Sequence, residues 1–267
     1  MSEKPVYVVS DTHLGAVPRE TERAFRGFLR HVAEHASALL INGDLFDFWF
    51  EYRHVILREH FRVAAALADV VDAGVKVWFV GGNHDAWGGS FLRDEVGVEL
   101  LNGPVEMMLA GRRTLVAHGD GLGKGDFKYR ALKTVIRHPL SVGAFRVLHP
   151  DLGRRIANLA SSTEHKAAGS DAAAARGRAA FIQHWAEEQL HADPALDLVL
   201  AGHAHVASCA EVEPGRFYVN SGDWLREYNY VVLHPGGGPP EPRVWPGADG
   251  RPDAVGGLIA GGLISGG

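Results

Sequence analysis

Asp11 and His13 follow an apolar, β-branched run in the stretch Val8-Val9-Ser10-Asp11-Thr12-His13. Two residues apart on extended chain, their side chains point the same way, and a carboxylate oxygen beside an imidazole nitrogen can catch a divalent metal. A Ser-Asp-Thr triplet is equally good turn chemistry, so the pair takes its meaning from the rest of the chain. Four more polar bursts follow apolar runs: Gly43-Asp44, Gly82-Asn83-His84-Asp85, His118-Gly119-Asp120 and Gly202-His203-Ala204-His205. Together they offer seven donors, namely Asp11, His13, Asp44, Asn83, His118, His203 and His205. That is too many for one ion and suited to two, an arrangement that serves in-line displacement at phosphorus through a shared oxygen ligand. Asp44 is the expected bridge, because a carboxylate has two oxygens and its loop lies between the others. His203 and His205 are expected to face one way from extended chain, one toward each ion. Mixed Asp, Asn and His donors without thiolate suit two divalent ions such as Mn²⁺, Fe or Zn²⁺, with Mn²⁺ the expected pair.

His84 directly follows a proposed donor, so it is expected to face the leaving-group oxygen, as general acid or as electrostatic stabiliser. Asp85 is expected to hold the tautomer of that ring, completing a catalytic pair of His84 and Asp85. A plain surface histidine is the alternative reading of position 84.

The elements that must position these residues have a simple order. Val6–Ser10 reads as a buried strand, 20–35 as a helix with apolar residues at helical spacing, and Leu39–Ile41 as a second strand. Residues 55–72 read as a second helix and Val75–Val80 as a third strand. The order β-α-β-α-β implies a largely parallel sheet with right-handed crossovers, whose carboxyl edge is where ligands bind. Val105–Leu109 and Thr114–Ala117 read as a hairpin around Ala110-Gly111-Arg112-Arg113. From about 122 to 192 strand signals vanish, and helices broken at Gly143, Pro150 and Gly169 are expected, with 171–180 and 181–190 strongly helical. Leu198–Leu200 restores the strand pattern. Ala207–Val212, Phe217–Asn220 and Tyr228–Leu233 then suggest a second, antiparallel-leaning sheet. Residues 236–251 are rich in Pro and Gly and are expected to be irregular, and the Gly-rich stretch 256–267 a loosely docked terminus.

Composition narrows the classes. The 267 residues hold 46% apolar and 22% charged residues, as expected of a globular protein large enough for one domain with an insertion. A net charge of −5 without a basic block argues against nucleic acid as a partner. One cysteine suits a reducing compartment, no secretory leader is legible, and no window approaches the ~18 apolar residues of a membrane span.

Asp-x-His, Gly-Asp, Gly-Asn-His-Asp, His-Gly-Asp and Gly-His-x-His, in that order over residues 6–235, resemble the calcineurin-like metallophosphoesterases. The resemblance implies a four-layer α/β/β/α metallophosphoesterase sandwich, here with a helical lid insertion at about 122–192 inside a domain spanning 1–240, and a tail at 241–267. It also implies one ion on Asp11, His13, Asp44 and His205, and another on Asp44, Asn83, His118 and His203. Finer features resemble the UDP-2,3-diacylglucosamine diphosphatase family of lipid A synthesis: Gly43-Asp44-Leu45-Phe46-Asp47-Phe48-Trp49, and His118-Gly119-Asp120-Gly121-Leu122 followed by Asp126 and Tyr129. Those two residues are then expected to approach substrate, and Ser161, Ser162, His165 and Lys166 resemble that family's polar patch on the sugar phosphate. Two departures stand out. His84 replaces the Arg of the best-known members, restoring the wider superfamily's pattern, and Gly123 stands where they have Cys.

The activity so implied is hydrolysis of the pyrophosphate of UDP-2,3-diacylglucosamine to UMP and 2,3-diacylglucosamine 1-phosphate. The alternative is a phosphodiesterase for a small soluble phosphate ester or nucleotide. The implied location is cytoplasmic, with peripheral contact at the inner membrane surface. There Lys124, Lys128, Arg130, Lys133 and Arg137 would meet substrate phosphates or anionic headgroups.

Overall fold

A computed structural model describes residues 4–52, 54–85, 90–122, 134, 138–156 and 172–247. Strand β1 (Val6–Val9) leads into helix α1 (Arg19–His35), β2 (Ala38–Asn42), helix α2 (Phe61–Asp72) and β3 (Lys76–Val80). A short helix α3 (Phe91–Asp94) precedes β4 (Glu99–Leu101), and β5 (Val105–Leu109) and β6 (Arg112–Val116) form a hairpin. Helices α4 (Pro139–Arg146) and α5 (Ala172–Ala192) follow, then β7 (Leu198–Ala201), β8 (Ser208–Glu213), β9 (Arg216–Asn220), β10 (Asn229–Leu233) and β11 (Glu241–Val244). The first sheet runs β11-β10-β1-β2-β3-β4, and the second β5-β6-β7-β9-β8.

The alternation of side chains along β1 explains the layering. Val6 and Val8 point into an apolar layer shared with Val116, Leu198, Leu200 and Val219 of the second sheet. Tyr7 and Val9 point the other way, into a cluster with Phe25, Phe28 and Leu29 of α1 and Leu67 of α2. On the far side, Ile182, Ala186 and Leu190, one stripe of α5, pack on Val199, Ala201 and Tyr218. The result is the α/β/β/α sandwich. Strands buried on both faces read as unbroken apolar runs, which is why β1, β2 and β7 were legible. Each fully buried Leu, Val or Phe in these layers stabilises the fold by about 1.5–3 kcal/mol, so the sheets are rigid supports for the loops at their ends.

Several expectations are corrected. The second helix starts at Phe61, after a 3₁₀ turn at Arg58–His60, because Leu57 is extended and buried and drops into the core from the loop. The β5–β6 hairpin turns on Ala110 and Gly111 alone, both at positive φ (49° and 85°), so Arg112 and Arg113 belong to β6. Gly143 lies inside α4 and breaks nothing, and 172–192 is one continuous helix. The second sheet is mixed, since β6, β7 and β9 run parallel. Tyr228–Leu233 belongs to the first sheet instead, with β10 antiparallel to β1. Alternation shows that a strand has two unlike faces but not which sheet it joins. The region expected to be irregular contains β11, which completes that sheet's edge. Pro242 is tolerated there because an edge strand has one unpaired side, and Trp245 just beyond it is buried against Phe28.

Candidate metal centre

Asp11 follows β1, Asp44 follows β2, Asn83 and His84 follow β3, His118 follows β6, and His203 and His205 follow β7. All of them therefore leave carboxyl ends of parallel strands, three in one sheet and two in the other. Backbone pairing continues past the strands: Thr12 and His13 both donate N–H to the Asp44 carbonyl (2.9 and 3.0 Å), and Gly202 N–H reaches the His118 carbonyl at 2.8 Å.

The conformation of these loops was not foreseen. Asp11, His13, Asp44, His203 and His205 have φ of 53°, 44°, 52°, 64° and 56°. They are left-handed turn residues, not extended chain, so each pair converges by tight turning rather than by strand alternation. Two glycines permit the close approach. A Cβ on Gly82 would strike the Asp44 carboxylate, and one on Gly43 (φ 86°) would strike the His118 ring.

Three groups of side chains place metal-ligating atoms within 4.8 Å of one another: Asp11, His13 and His205; Asp44, His118 and His203; and His13, Asp44 and His84. Asp44 stands between them. Its Oδ2 lies 3.2 Å from His118 Nε2 and 3.8 Å from His13 Nε2, while its Oδ1 accepts the His84 N–H at 3.0 Å. Asp11 Oδ1 lies 3.3 Å from His205 Nε2.

These residues fit divalent ions on their own chemistry. His118 Nδ1 must donate to the Asn42 carbonyl at 2.8 Å, since a carbonyl only accepts. In the neutral ring Nε2 is then a lone pair facing a carboxylate, an arrangement that needs a proton or a cation between them. Asn83 Oδ1 is buried with no hydrogen-bond partner, an orphaned acceptor at the same edge. Burial keeps His203 and His205 below the usual histidine range, hence neutral with lone pairs to offer. Burial would raise the Asp44 carboxyl, but His118, with His84 and His13, outweighs it and holds the group well below the carboxylate range. His118 is the mirror case, with burial opposed and overcome by Asp44, so the pair is charged.

Asp85 does not hold the His84 ring. Its carboxylate turns back into the loop and accepts N–H groups from Gly82 (2.8 Å), Leu45 (2.6 Å), Phe46 (3.3 Å) and Asp44 (3.3 Å). It pins the β2 and β3 loops together, and burial, helped by the charge of Asp44, pushes it up to about 6. The residue at the His84 ring is Asp47: Nδ1 donates to its carbonyl at 2.8 Å, and its carboxylate lies 3.6 Å from Nδ1 and 3.7 Å from His13 Nδ1. Three residues after Asp44 in the same polar burst, Asp47 was visible in the sequence but carried no assigned role. Asn42, which supports His118, is the last residue of β2, one beyond the strand expected at Leu39–Ile41, and the sequence assigned it no role.

A cavity of about 320 Å³ opens beside His118 and Asp85. Buried Phe50 and Phe79 line it from the core, Leu101 and Asn102 from the end of β4, and Val142 and Arg146 from α4. Phe145 anchors α4 against Phe50, ring centres 4.5 Å apart, and Arg146 Nε donates to the Glu51 carbonyl at 3.2 Å. Of the residues expected to touch substrate, Asp126, Tyr129, Ser161, Ser162, His165 and Lys166 lie outside the described residues, as do Lys124, Lys128, Arg130, Lys133 and Arg137.

Two sheets sharing one carboxyl edge, with Asp, Asn and His donors converging there, define a metal-dependent phosphoesterase. The family model for calcineurin-like phosphoesterases matches residues 4–207, and the chain belongs to that family. Its relatives include a UDP-2,3-diacylglucosamine hydrolase of Porphyromonas gingivalis, 28% identical over 249 residues, covering 85% of this chain and 93% of the relative. Another protein of that name, from Ectopseudomonas mendocina, is 30% identical over 232 residues, covering 83% and 91% of the two chains. Among solved structures, the phosphoesterase YfcE from E. coli aligns over 90% of this chain and 91% of its own at 17% identity, with a TM-score of 0.41. The protein is a metal-dependent hydrolase, and divalent ions are its cofactors.

Proposed function

We propose that the chain hydrolyses the pyrophosphate bond of UDP-2,3-diacylglucosamine to UMP and 2,3-diacylglucosamine 1-phosphate. The observation that carries this reading is the convergence of metal-ligating side chains from separate loops at one edge, in a chain aligning with most of two hydrolases of that name. One ion would be held by Asp11, His13, Asp44 and His205, the other by Asp44, Asn83, His118 and His203, and Mn²⁺ is the proposed metal. When bound, such ions act as Lewis acids on phosphoryl oxygens and offset the charge that develops during in-line displacement.

The chain's own residues would do the rest. His84 directs Nδ1–H to the Asp47 carbonyl, which fixes the ring's orientation, and Nε2 is the proposed atom toward the leaving group. To protonate or hydrogen-bond the leaving phosphate through Nε2, His84 must carry the ring's second proton there. The cavity beside His118 is the proposed seat of the substrate portion next to the scissile bond, with Arg146 as its cation. Asp126, Tyr129, Ser161, Ser162 and Lys166 are proposed substrate contacts on sequence motifs alone.

Of the expected lid at about 122–192, α5 packs on the second sheet as an outer layer, which leaves about 122–171 as the proposed lid; the phosphoesterase domain expected at 1–240 extends past 240, because β11 and Trp245 belong to its first sheet and core. Peripheral contact with the cytoplasmic side of the inner membrane is proposed from the substrate's lipid nature and from exposed Leu140, Val147, Leu152, Ile156 and Phe181. No described helix is long and apolar enough to cross a membrane.

Chelated protein resupplied with Mn²⁺ should release UMP from UDP-2,3-diacylglucosamine faster than it cleaves bis-p-nitrophenyl phosphate. If the generic diester is cleaved as fast or faster, the lipid nucleotide is not the substrate, and a phosphodiesterase for small soluble esters takes its place.

A further inference from the structure

Two buried hydroxyls at the centre have no part in the chemistry above. Ser10 follows β1 of the first sheet, and Ser221 follows β9 of the second. Their Oγ atoms lie 2.7 Å apart, and Ser10 Oγ donates in a short contact to Asp11 Oδ2. The direction of the chain follows from counting protons. Ser10 has one, with two acceptors in reach that can only accept, Asp11 Oδ2 in the short contact and the Gly222 carbonyl at 3.4 Å, and the much nearer carboxylate takes it. Ser221 must therefore donate in the Ser10–Ser221 pair. Its other acceptor, the Ala201 carbonyl, lies farther off at 3.2 Å and also receives the Ser221 backbone N–H at 3.0 Å, so Ser10 Oγ at 2.7 Å is the nearer partner for the hydroxyl proton.

The far side of Asp11 is equally determined. His203 N–H lies 3.1 and 3.0 Å from its two oxygens, and Oδ1 is left toward His205 Nε2 at 3.3 Å. There is no slack in the arrangement. A Cβ on Gly202 would come within 2.7 Å of both Asp11 Oδ2 and Ser10 Oγ, and the Gly202 carbonyl is itself held by Asn220 Nδ2 at 2.8 Å. Ser10 and Ser221 are fully buried, so water cannot replace either hydroxyl cheaply.

We infer that Ser221 and Ser10 form a hydroxyl relay that orients Asp11 for metal binding, making both serines positioning residues for the ion held with His13 and His205. The inference rests on the two-ion reading above. It also means that one ion's affinity depends on the registry of the two sheets, because the relay crosses between them.

Calorimetric titration of the metal-stripped full chain with Mn²⁺ tests it. The unmodified chain should take up two ions. Ser10→Ala should weaken one site about 10- to 100-fold, the range for residues behind a metal ligand, and leave the other little changed. Ser221→Ala should weaken the same site by less, and the double variant should match Ser10→Ala alone, because Ser221 acts only through Ser10. Unchanged affinity in Ser10→Ala, equal weakening of both sites, or additive losses in the double variant would overturn the relay while leaving the metal centre standing. Uptake of fewer than two ions by the unmodified chain overturns the two-ion reading and the relay with it. Should Ser10→Ala fail to fold, Ser221→Ala, which leaves the Ser10–Asp11 contact in place, still decides: an unweakened Asp11 site there contradicts the relay.

Discussion

Seven described residues other than glycine have positive φ, and Asp11, His13, Asp44, His203 and His205 are five of them. Such conformations cost of order 1–3 kcal/mol each for ordinary residues and persist where the surroundings impose them. That these residues would converge was legible in the sequence, because Gly-Asp and Gly-His pairs after apolar runs are distinctive. Their backbone was not, because strand geometry also brings residues two apart to one side and gave the right neighbours for the wrong reason. Asp85 was misread on the same ground: adjacency to His84 suggested a partner, yet the side chain turns toward four backbone N–H groups. The strain at Asp44 makes a prediction. Asp44→Ala and Asp44→Gly should both abolish turnover, since both remove the proposed bridge. In urea unfolding of metal-free protein, however, the glycine variant should be the more stable by about 1 kcal/mol, because only alanine must hold φ near 52° with a Cβ. An alanine variant as stable as the glycine variant would show that the turn relaxes and stores no strain.

The elements were read well where burial on both faces produced unbroken apolar runs, as in β1, β2 and β7, and less well at boundaries set by tertiary contacts. The start of α2 is such a boundary. The 3₁₀ turn before it carries His60, buried under the metal loops with its ring 4.5 Å from that of Phe46. Nε2–H donates to the Phe48 carbonyl at 2.9 Å, and Nδ1 is buried with no hydrogen-bond partner. Burial, offset only in part by Glu59 and the Phe48 carbonyl, lowers this histidine to about 4. It is therefore neutral in the fold, whereas the unfolded chain binds a proton from about pH 6.5 downward. Stability is full above that pH and is lost as pH falls from about 6.5 to 4, by up to about 3 kcal/mol. His60→Gln keeps a side-chain N–H and cannot titrate. Urea unfolding at intervals across this window should show a shallower pH slope for the variant, and an identical slope would mean that His60 charges freely in the folded protein.

At the scale of the molecule, two sheets meet at one carboxyl edge, and neither could build the centre alone. The loops of the first carry the proposed site residues Asp11, His13, Asp44, Asn83 and His84, and those of the second His118, His203 and His205. The sequence could announce the proposed donors and two sheets, but the membership of β10 depended on a pairing partner more than 200 residues away, as in Leu233 on Val6, and β11 joins that sheet only through β10. Within the stretch expected to be helical after residue 122, Pro139–Arg146 and Ala172–Ala192 are helices, but where each packs was not legible, and α5 forms an outer layer of the sandwich. What unites these scales is the claim that seven side chains hold two ions around Asp44. Anomalous scattering from Mn²⁺-soaked crystals, collected at the manganese edge, measures that directly. The account predicts two peaks about 4 Å apart with the Asp44 carboxylate between them, one bordered by Asp11, His13 and His205 and the other by Asn83, His118 and His203. A single peak, or ions bound away from Asp44, would contradict it.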